Sequence, residues 1–231
     1  VEKGKRSFNL CTNAKPKVLL PVFPGTNCEF DMARAFSLAG AETKIVVFRN
    51  HTKEALAESL NTLKQELDTA QILALSGGFS AGDEPDGSGK FIANVLRENR
   101  IADSVMNLIK NRDGLVLGIC NGFQALVKLG LVPYGKIIDT DENCPTLTYN
   151  TISRHQSKIV RTRIASNKSP WLSLMNVGDI VNVPISHGEG RFYASDELIK
   201  KLAENGQIAT QYVDLSGNAT SDVQFNPNDS A

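Results

Sequence analysis

The sequence predicts an α/β fold built on a parallel sheet covered on both faces, and three observations predict it. Short apolar runs bounded by turn residues alternate with helix-periodic segments from Lys17 to Gly130. The glycine- and cysteine-rich stretches fall just after the predicted strands, at the sheet edge where such folds bind ligands. The chain has 231 residues, 41% of them apolar, enough for one sizeable core.

The elements follow in order. Lys17-Val18-Leu19-Leu20-Pro21-Val22 reads as a buried strand, and Phe23 to Cys28 as a loop. Met32, Ala33, Phe36 and Ala39 repeat at helical spacing, with Gly40 as the stop. Thr43 to Phe48 is a second strand. Residues 53–67 fit a helix with Leu56, Leu60 and Leu63 on one face, and His51 lies at its start as a capping or surface residue. Ile72 to Leu75 is a third strand, followed by the loop Ser76 to Asp83. Lys90 to Asn111 is helical with a break near Asn99. Gly114 to Ile119 is a fourth strand, and a helix runs from Gly122 to Gly130.

The second half is less regular. Lys158 to Ile164 and Ile180 to Ile185 suggest strands, joined by a loop holding the only tryptophan, Trp171. Ser195 can cap a helix from Asp196 to Glu204, with acids in its first turn. Ile208 to Val213 and Ala219 to Phe225 read as a hairpin around Ser216-Gly217-Asn218. No internal repeat divides the chain.

Composition narrows the function classes. Lysine plus arginine and aspartate plus glutamate balance at 25 each, so no basic field draws nucleic acid or an anionic membrane. No apolar run approaches the roughly 20 residues needed to cross a bilayer. Residues 1–16 are polar and irregular, without an initiator Met or an apolar leader; the expectation is a linker from a preceding domain. Cys11, Cys28, Cys120 and Cys144 form no CxxC pair, which disfavours zinc and a disulfide framework and suits a reducing cytoplasm.

Three motifs carry chemistry. In Gly118-Ile119-Cys120-Asn121-Gly122, a glycine two residues on either side lets a strand turn sharply into a helix and pushes the cysteine out. At a helix N-terminus, free N–H groups and the dipole favour negative charge, so Cys120 is the expected nucleophile. Chance placement of a buried cysteine between glycines is the competing reading, and the flanking strand and helix weigh against it. In Ser76-Gly77-Gly78-Phe79-Ser80, glycines allow backbone N–H groups to approach an oxyanion; Gly77, Gly78 and Asn121 are the candidates. In Ser186-His187-Gly188-Glu189-Gly190-Arg191-Phe192, an extended backbone would put His187 and Glu189 on one side. A histidine beside a carboxylate is the usual activator of a thiol, while a glycine-rich substrate or interface loop is the alternative. His155 lies in a polar, solvated stretch.

These motifs, in this order, resemble the class I glutamine amidotransferase domain of phosphoribosylformylglycinamidine synthase. Phe23 to Asp31, Ser76 to Asp83, Leu117 to Phe123, His187 to Phe192 and Asn226-Pro227-Asn228 carry the resemblance, which runs from about Lys17 to Ala231. It implies a flavodoxin-like fold and a glutaminase: Cys120 attacks the glutamine amide, a thioester forms, and ammonia passes to an ATP-dependent synthetase. ATP and magnesium then belong to that partner domain, with no cofactor in this one. Phe79, Ser80, His187, Glu189 and Arg191 become substrate or interface residues. The family's catalytic His–Glu pair lies beyond the Asn-Pro-Asn motif, and the sequence stops at Ala231. The expectation is therefore a domain, 17–231, without its general base. Two alternatives stay open: a docking or glutamine-binding module, and a deglycase- or peptidase-like cysteine-elbow enzyme.

Overall fold

The computed structural model describes residues 15–80, 89–228 and 230. The predicted linker up to residue 14, with Cys11, lies outside them, as do Ala81, Gly82, Asp83, Asp229 and Ala231.

The first half runs β1 (Lys17–Val22), β2 (Thr26–Asn27), α1 (Glu29–Leu38), β3 (Glu42–Val47), α2 (Lys53–Thr69), β4 (Ile72–Leu75) and β5 (Gly77–Gly78). It continues with α3 (Lys90–Leu96), α4 (Asn99–Lys110), β6 (Leu115–Gly118), α5 (Asn121–Leu129) and the short α6 (Leu131–Tyr134). β1, β3, β4 and β6 form one parallel sheet in the order β3-β1-β4-β6. The second strand by sequence lies outside the first, and the third and fourth follow on the other side. That is the flavodoxin-like arrangement, with its switch point between β1 and β4.

Strand periodicity of two divides the core into layers. Leu19, Leu73, Leu75 and Val46 face α2, α3, α4 and α5 and pack with Leu63, Leu67, Leu96, Leu108 and Leu129. Val18, Leu20, Ile72 and Ala74 face the other way, onto Met32 and Ala33 of α1. Each fully buried leucine stabilises the fold by about 1.5–3 kcal/mol.

Helix ends are held by named partners. Thr52, not His51, caps α2, its hydroxyl accepting from Ala55 N–H at 3.1 Å. The buried stripe of α2 is Ser59, Leu63 and Leu67, while Leu56 faces outward. The predicted break near Asn99 is real: α3 ends at Leu96, and the Glu98 carboxylate accepts from Ile101 N–H at 3.1 Å to start α4. Arg97, in that break, donates to the Lys128 carbonyl at 2.6 Å and the Ile138 carbonyl at 3.3 Å. It thereby anchors the C-terminal end of α5, where a cation suits the dipole.

The second half holds β7 (Thr146–Thr148), β8 (Gln156–Ile164), a 3₁₀ turn Pro170–Leu172, β9 (Ile180–His187), β10 (Arg191–Tyr193), α7 (Asp196–Glu204) and β11 (Thr210–Tyr212). α7 has its predicted bounds, and Ser195 Oγ accepts from Leu198 N–H at 3.3 Å. β8 is central in the antiparallel sheet β11-β8-β9, and β7 pairs with β10. The predicted 208–225 hairpin is corrected: β11 pairs with β8, and only a Val213–Ala219 bridge joins the two arms. The Asp214 carboxylate closes the loop tightly, accepting from Ser216 N–H and Asn218 N–H at 2.8 and 2.9 Å. The chain then turns at 223–225 instead of extending.

Trp171 joins the halves. Its indole N–H donates to the Val116 carbonyl on the edge strand β6 at 3.1 Å, and its ring meets Phe36 of α1 edge-on at 6.1 Å. Among the described residues no helix is long and apolar enough to cross a membrane.

Candidate functional site

Cys120 is the last residue of the turn between β6 and α5, with φ 53° and ψ −112°. A non-glycine side chain avoids positive φ, and holding one there costs on the order of 1–3 kcal/mol. The neighbours enforce it. Ile119 N–H donates to the Leu75 carbonyl at 3.0 Å, and Gly122 N–H to the Ser76 carbonyl at 3.0 Å, so the turn is bolted to the end of β4. A Cβ at Gly122 would lie 2.3 Å from the Leu75 carbonyl oxygen, and one at Gly118 would lie 2.7 Å from the Gly122 carbonyl oxygen. Both glycines are required by close backbone approach. The Cys120 side chain is left exposed at the start of α5.

The glycine loop comes beside it. β5 pairs antiparallel with β2, so the loops after β1 and β4 are stitched together across the switch point. A Cβ at Gly77 would lie 3.3 Å from Cys120 Cβ, which puts this backbone against the Cys120 side chain. Gly78 has φ 115° and passes so close to Gly25 that a Cβ would lie 2.3 Å from its carbonyl oxygen. Phe79 N–H donates to the Gly25 carbonyl at 2.9 Å, and Ser80 N–H to Asn121 Oδ1 at 3.3 Å. Those two donors are engaged by the loop after β1 and by the start of α5. The Phe79 ring is exposed, whereas Ser80 and Asn121 are buried.

The third motif approaches α5 from the second half. β9 ends at His187 and the chain bends over Gly188 and Glu189, so the extended alternation that would align His187 with Glu189 is not set up. Instead His187 Nδ1 lies 2.8 Å from the side-chain oxygen of Asn150. Burial and the nearby His155 hold the His187 imidazole below its ordinary pKa, favouring the neutral ring. His155 Nε2 lies 2.9 Å from Ser186 Oγ. The Glu189 carbonyl accepts from Gln124 Nε2 at 3.2 Å, and Gln124 N–H donates to the Cys120 carbonyl at 3.0 Å. The loop therefore meets α5 one turn after Cys120. The Arg191 guanidinium covers the Tyr193 ring at 5.6 Å.

The C-terminal segment closes over the same loop. Ser230 Oγ accepts from Phe192 N–H at 3.2 Å, and Asn226 bonds Ser230 at both its amide ends. One residue escapes sequence reasoning altogether and another nearly so. Asn150 stands in an ordinary Tyr-Asn-Thr stretch with no local signal. Gln124 is visible only as part of Asn-Gly-Phe-Gln. Among the described residues no group of three or more His, Cys, Asp or Glu is placed to hold a metal ion.

A flavodoxin-like sheet with a cysteine elbow at its edge, flanked by a glycine loop from the next strand, defines a glutamine-amidotransferase-type α/β protein. The comparisons agree. Residues 15–231 match the CobB/CobQ-like glutamine amidotransferase domain. The chain is 38% identical over 214 residues to phosphoribosylformylglycinamidine synthase subunit PurQ of Methanococcus maripaludis, covering 92% of this chain and 73% of that protein. It is 36% identical over 207 residues to the PurQ subunit of Sulfurimonas denitrificans, covering 87% and 77%. Among solved structures it is similar to PurLQS from Thermotoga maritima, with a TM-score of 0.57 and 27% identity over 80% of this chain and 72% of that one. The chain belongs to the PurQ family of glutamine amidotransferases, the glutaminases of phosphoribosylformylglycinamidine synthase.

Proposed function

We propose that this chain supplies ammonia from glutamine to a synthetase partner that forms phosphoribosylformylglycinamidine. The observation that carries the reading is Cys120, held at φ 53° at the start of α5 with the Gly77 backbone beside it. The Cys120 thiolate attacks the side-chain amide carbon of glutamine. The carbonyl π electrons move onto oxygen, and the resulting oxyanion is met by backbone N–H groups of Gly77, Gly78 and Asn121. Collapse re-forms the carbonyl, breaks the C–N bond and expels ammonia, the nitrogen regaining through water the proton that the thiol gave up. A γ-glutamyl thioester remains, and water cleaves it to glutamate and free thiol. The net change is glutamine plus water to glutamate plus ammonia.

Phe79, Ser80, His187, Glu189 and Arg191 serve as substrate or interface residues. The ammonia is consumed in the synthetase, where ATP and magnesium act on formylglycinamide ribonucleotide; no cofactor is assigned to this domain. The cytoplasm is the setting that fits such a reaction and the exposed thiols of Cys28 and Cys120.

The test is labelling with a diazoketone analogue of glutamine, followed by peptide mass spectrometry. The expected result is one adduct, on Cys120, blocked by glutamine and lost in Cys120→Ser. With the synthetase present, whatever glutamine-dependent product the chain supports is expected to be lost in Cys120→Ser while ammonia-dependent product persists. A Cys120 that ignores the analogue but reacts with aldehydes would sink this reading.

A further inference from the structure

Asn150, two residues past the end of β7, is 2% exposed, and every polar position of its side chain is used. Nδ2 donates to the Arg154 carbonyl at 2.8 Å and to the His187 carbonyl at 2.7 Å. Oδ1 accepts from Gly190 N–H at 3.3 Å and lies 2.8 Å from His187 Nδ1. Its backbone N–H donates to the Gly188 carbonyl at 2.9 Å. One residue thus grips the bend 187–190 at its first, second and last positions.

The same contacts settle the state of the ring. An amide that faces two carbonyl oxygens must present its nitrogen there, so the atom facing His187 is oxygen. His187 Nδ1 is then the donor, and in the neutral ring Nε2 keeps its lone pair. The gripped bend in turn presents the Glu189 carbonyl to Gln124 on α5, and Gln124 stands one turn after Cys120.

We propose that Asn150 is a positioning residue of the glutamine site: by clamping the His187–Gly190 bend it sets the wall that stands against the nucleophile's helix. This rests on the glutaminase reading above. Asn150 takes no part in the elbow, whose shape is fixed by Leu75, Ser76, Gly118 and Gly122. Its loss therefore separates two properties that a general structural defect would lose together. Binding of a glutamine-shaped reagent weakens, and the intrinsic reactivity of the Cys120 thiol stays.

The test labels the chain and its Asn150→Ala variant with the diazoketone analogue and, separately, with iodoacetamide, which is too small to need the wall. The half-saturating concentration of the analogue is expected to rise about tenfold or more, with its limiting rate and the iodoacetamide rate changed less than about twofold. The imidazole nitrogen resonances of His187 are expected to lose a single Nδ1–H form. Gly190→Ala is the second variant: its Cβ would lie 2.4 Å from His187 Nδ1, displacing the ring while Asn150 remains. The same rise is expected there, and this variant decides if Asn150→Ala does not fold. Unchanged half-saturation in the folded variants overturns the proposal. So does parallel loss of both reagents in Asn150→Ala with Gly190→Ala unaffected, which would mark Asn150 as purely structural. A wild-type chain that shows no saturable labelling would instead defeat the glutaminase reading itself.

Discussion

The parallel half and the antiparallel half of this chain reach order by different means. In the parallel half, β1 and β4 are closed on both faces, and Val18, Leu19, Leu20, Leu73 and Ala74 have no exposure at all. In the antiparallel half, β8 and β9 are open on one face, where Ile159 is 72% and Ile180 41% exposed. What holds the second half near the site is a set of buried amides, Asn150 and Asn226 above all, each bonded to backbone several residues away. Close packing transmits strain and fixes atoms to a fraction of an ångström. Hydrogen-bonded loops open locally at lower free energy. Cys120 is thus built on the rigid half, and the bend that meets its helix is held on the softer one.

The contrast can be broken most severely at the elbow. Gly122→Ala sets a Cβ against the backbone of β4, where neither partner can yield, and is expected to destabilise the chain by about 3 kcal/mol or more. Urea unfolding measures it, with analogue labelling of Cys120 lost in parallel. Full stability in this variant would mean that the elbow is not bolted to Leu75.

A paired substitution sharpens the contrast. Leu73→Ala is expected to cost about 2–5 kcal/mol, because it opens a cavity in a closed layer. Ile159→Ala, on the open face, is expected to change stability by no more than about 0.5 kcal/mol. Equal losses would show that the outer face of β8 is covered in solution.

The smallest effect concerns protons. His187 has a folded pKa below the ordinary 6.5, so the unfolded chain takes up its proton first as pH falls. Stability from this group is complete above pH 6.5 and declines on acidification below it. His187→Gln is expected to flatten that part of the stability profile while leaving the carboxylate-driven loss at lower pH. An unchanged slope would place the bend outside the cooperative unit.

The sequence made the packed half legible, and in the hydrogen-bonded half it showed β8, β9 and α7 but not the loops and short strands that hold them. β1, β4 and α5 appear because strand and helix periods repeat over several residues, and α7 because a serine cap with following acids is a local signal. Gly118 and Gly122 are readable because the spacing of an elbow is local too. Asn150 is unreadable: its partners lie up to 40 residues away, and nothing within its own neighbourhood distinguishes it. β2 and β5, two residues each, are too short to leave a pattern. The 208–225 hairpin misleads because its turn signal is genuine, while the pairing partner of β11 is β8, far back in the sequence.

The sole tryptophan offers one more consequence. Trp171 belongs to the softer half but donates its indole hydrogen to Val116, four residues before Cys120, and rests against Phe36. Its emission is therefore a natural optical gauge of how the halves seat on one another. If they part, the indole exchanges a carbonyl and an aromatic edge for water, and the fluorescence moves to longer wavelength before any core leucine is exposed.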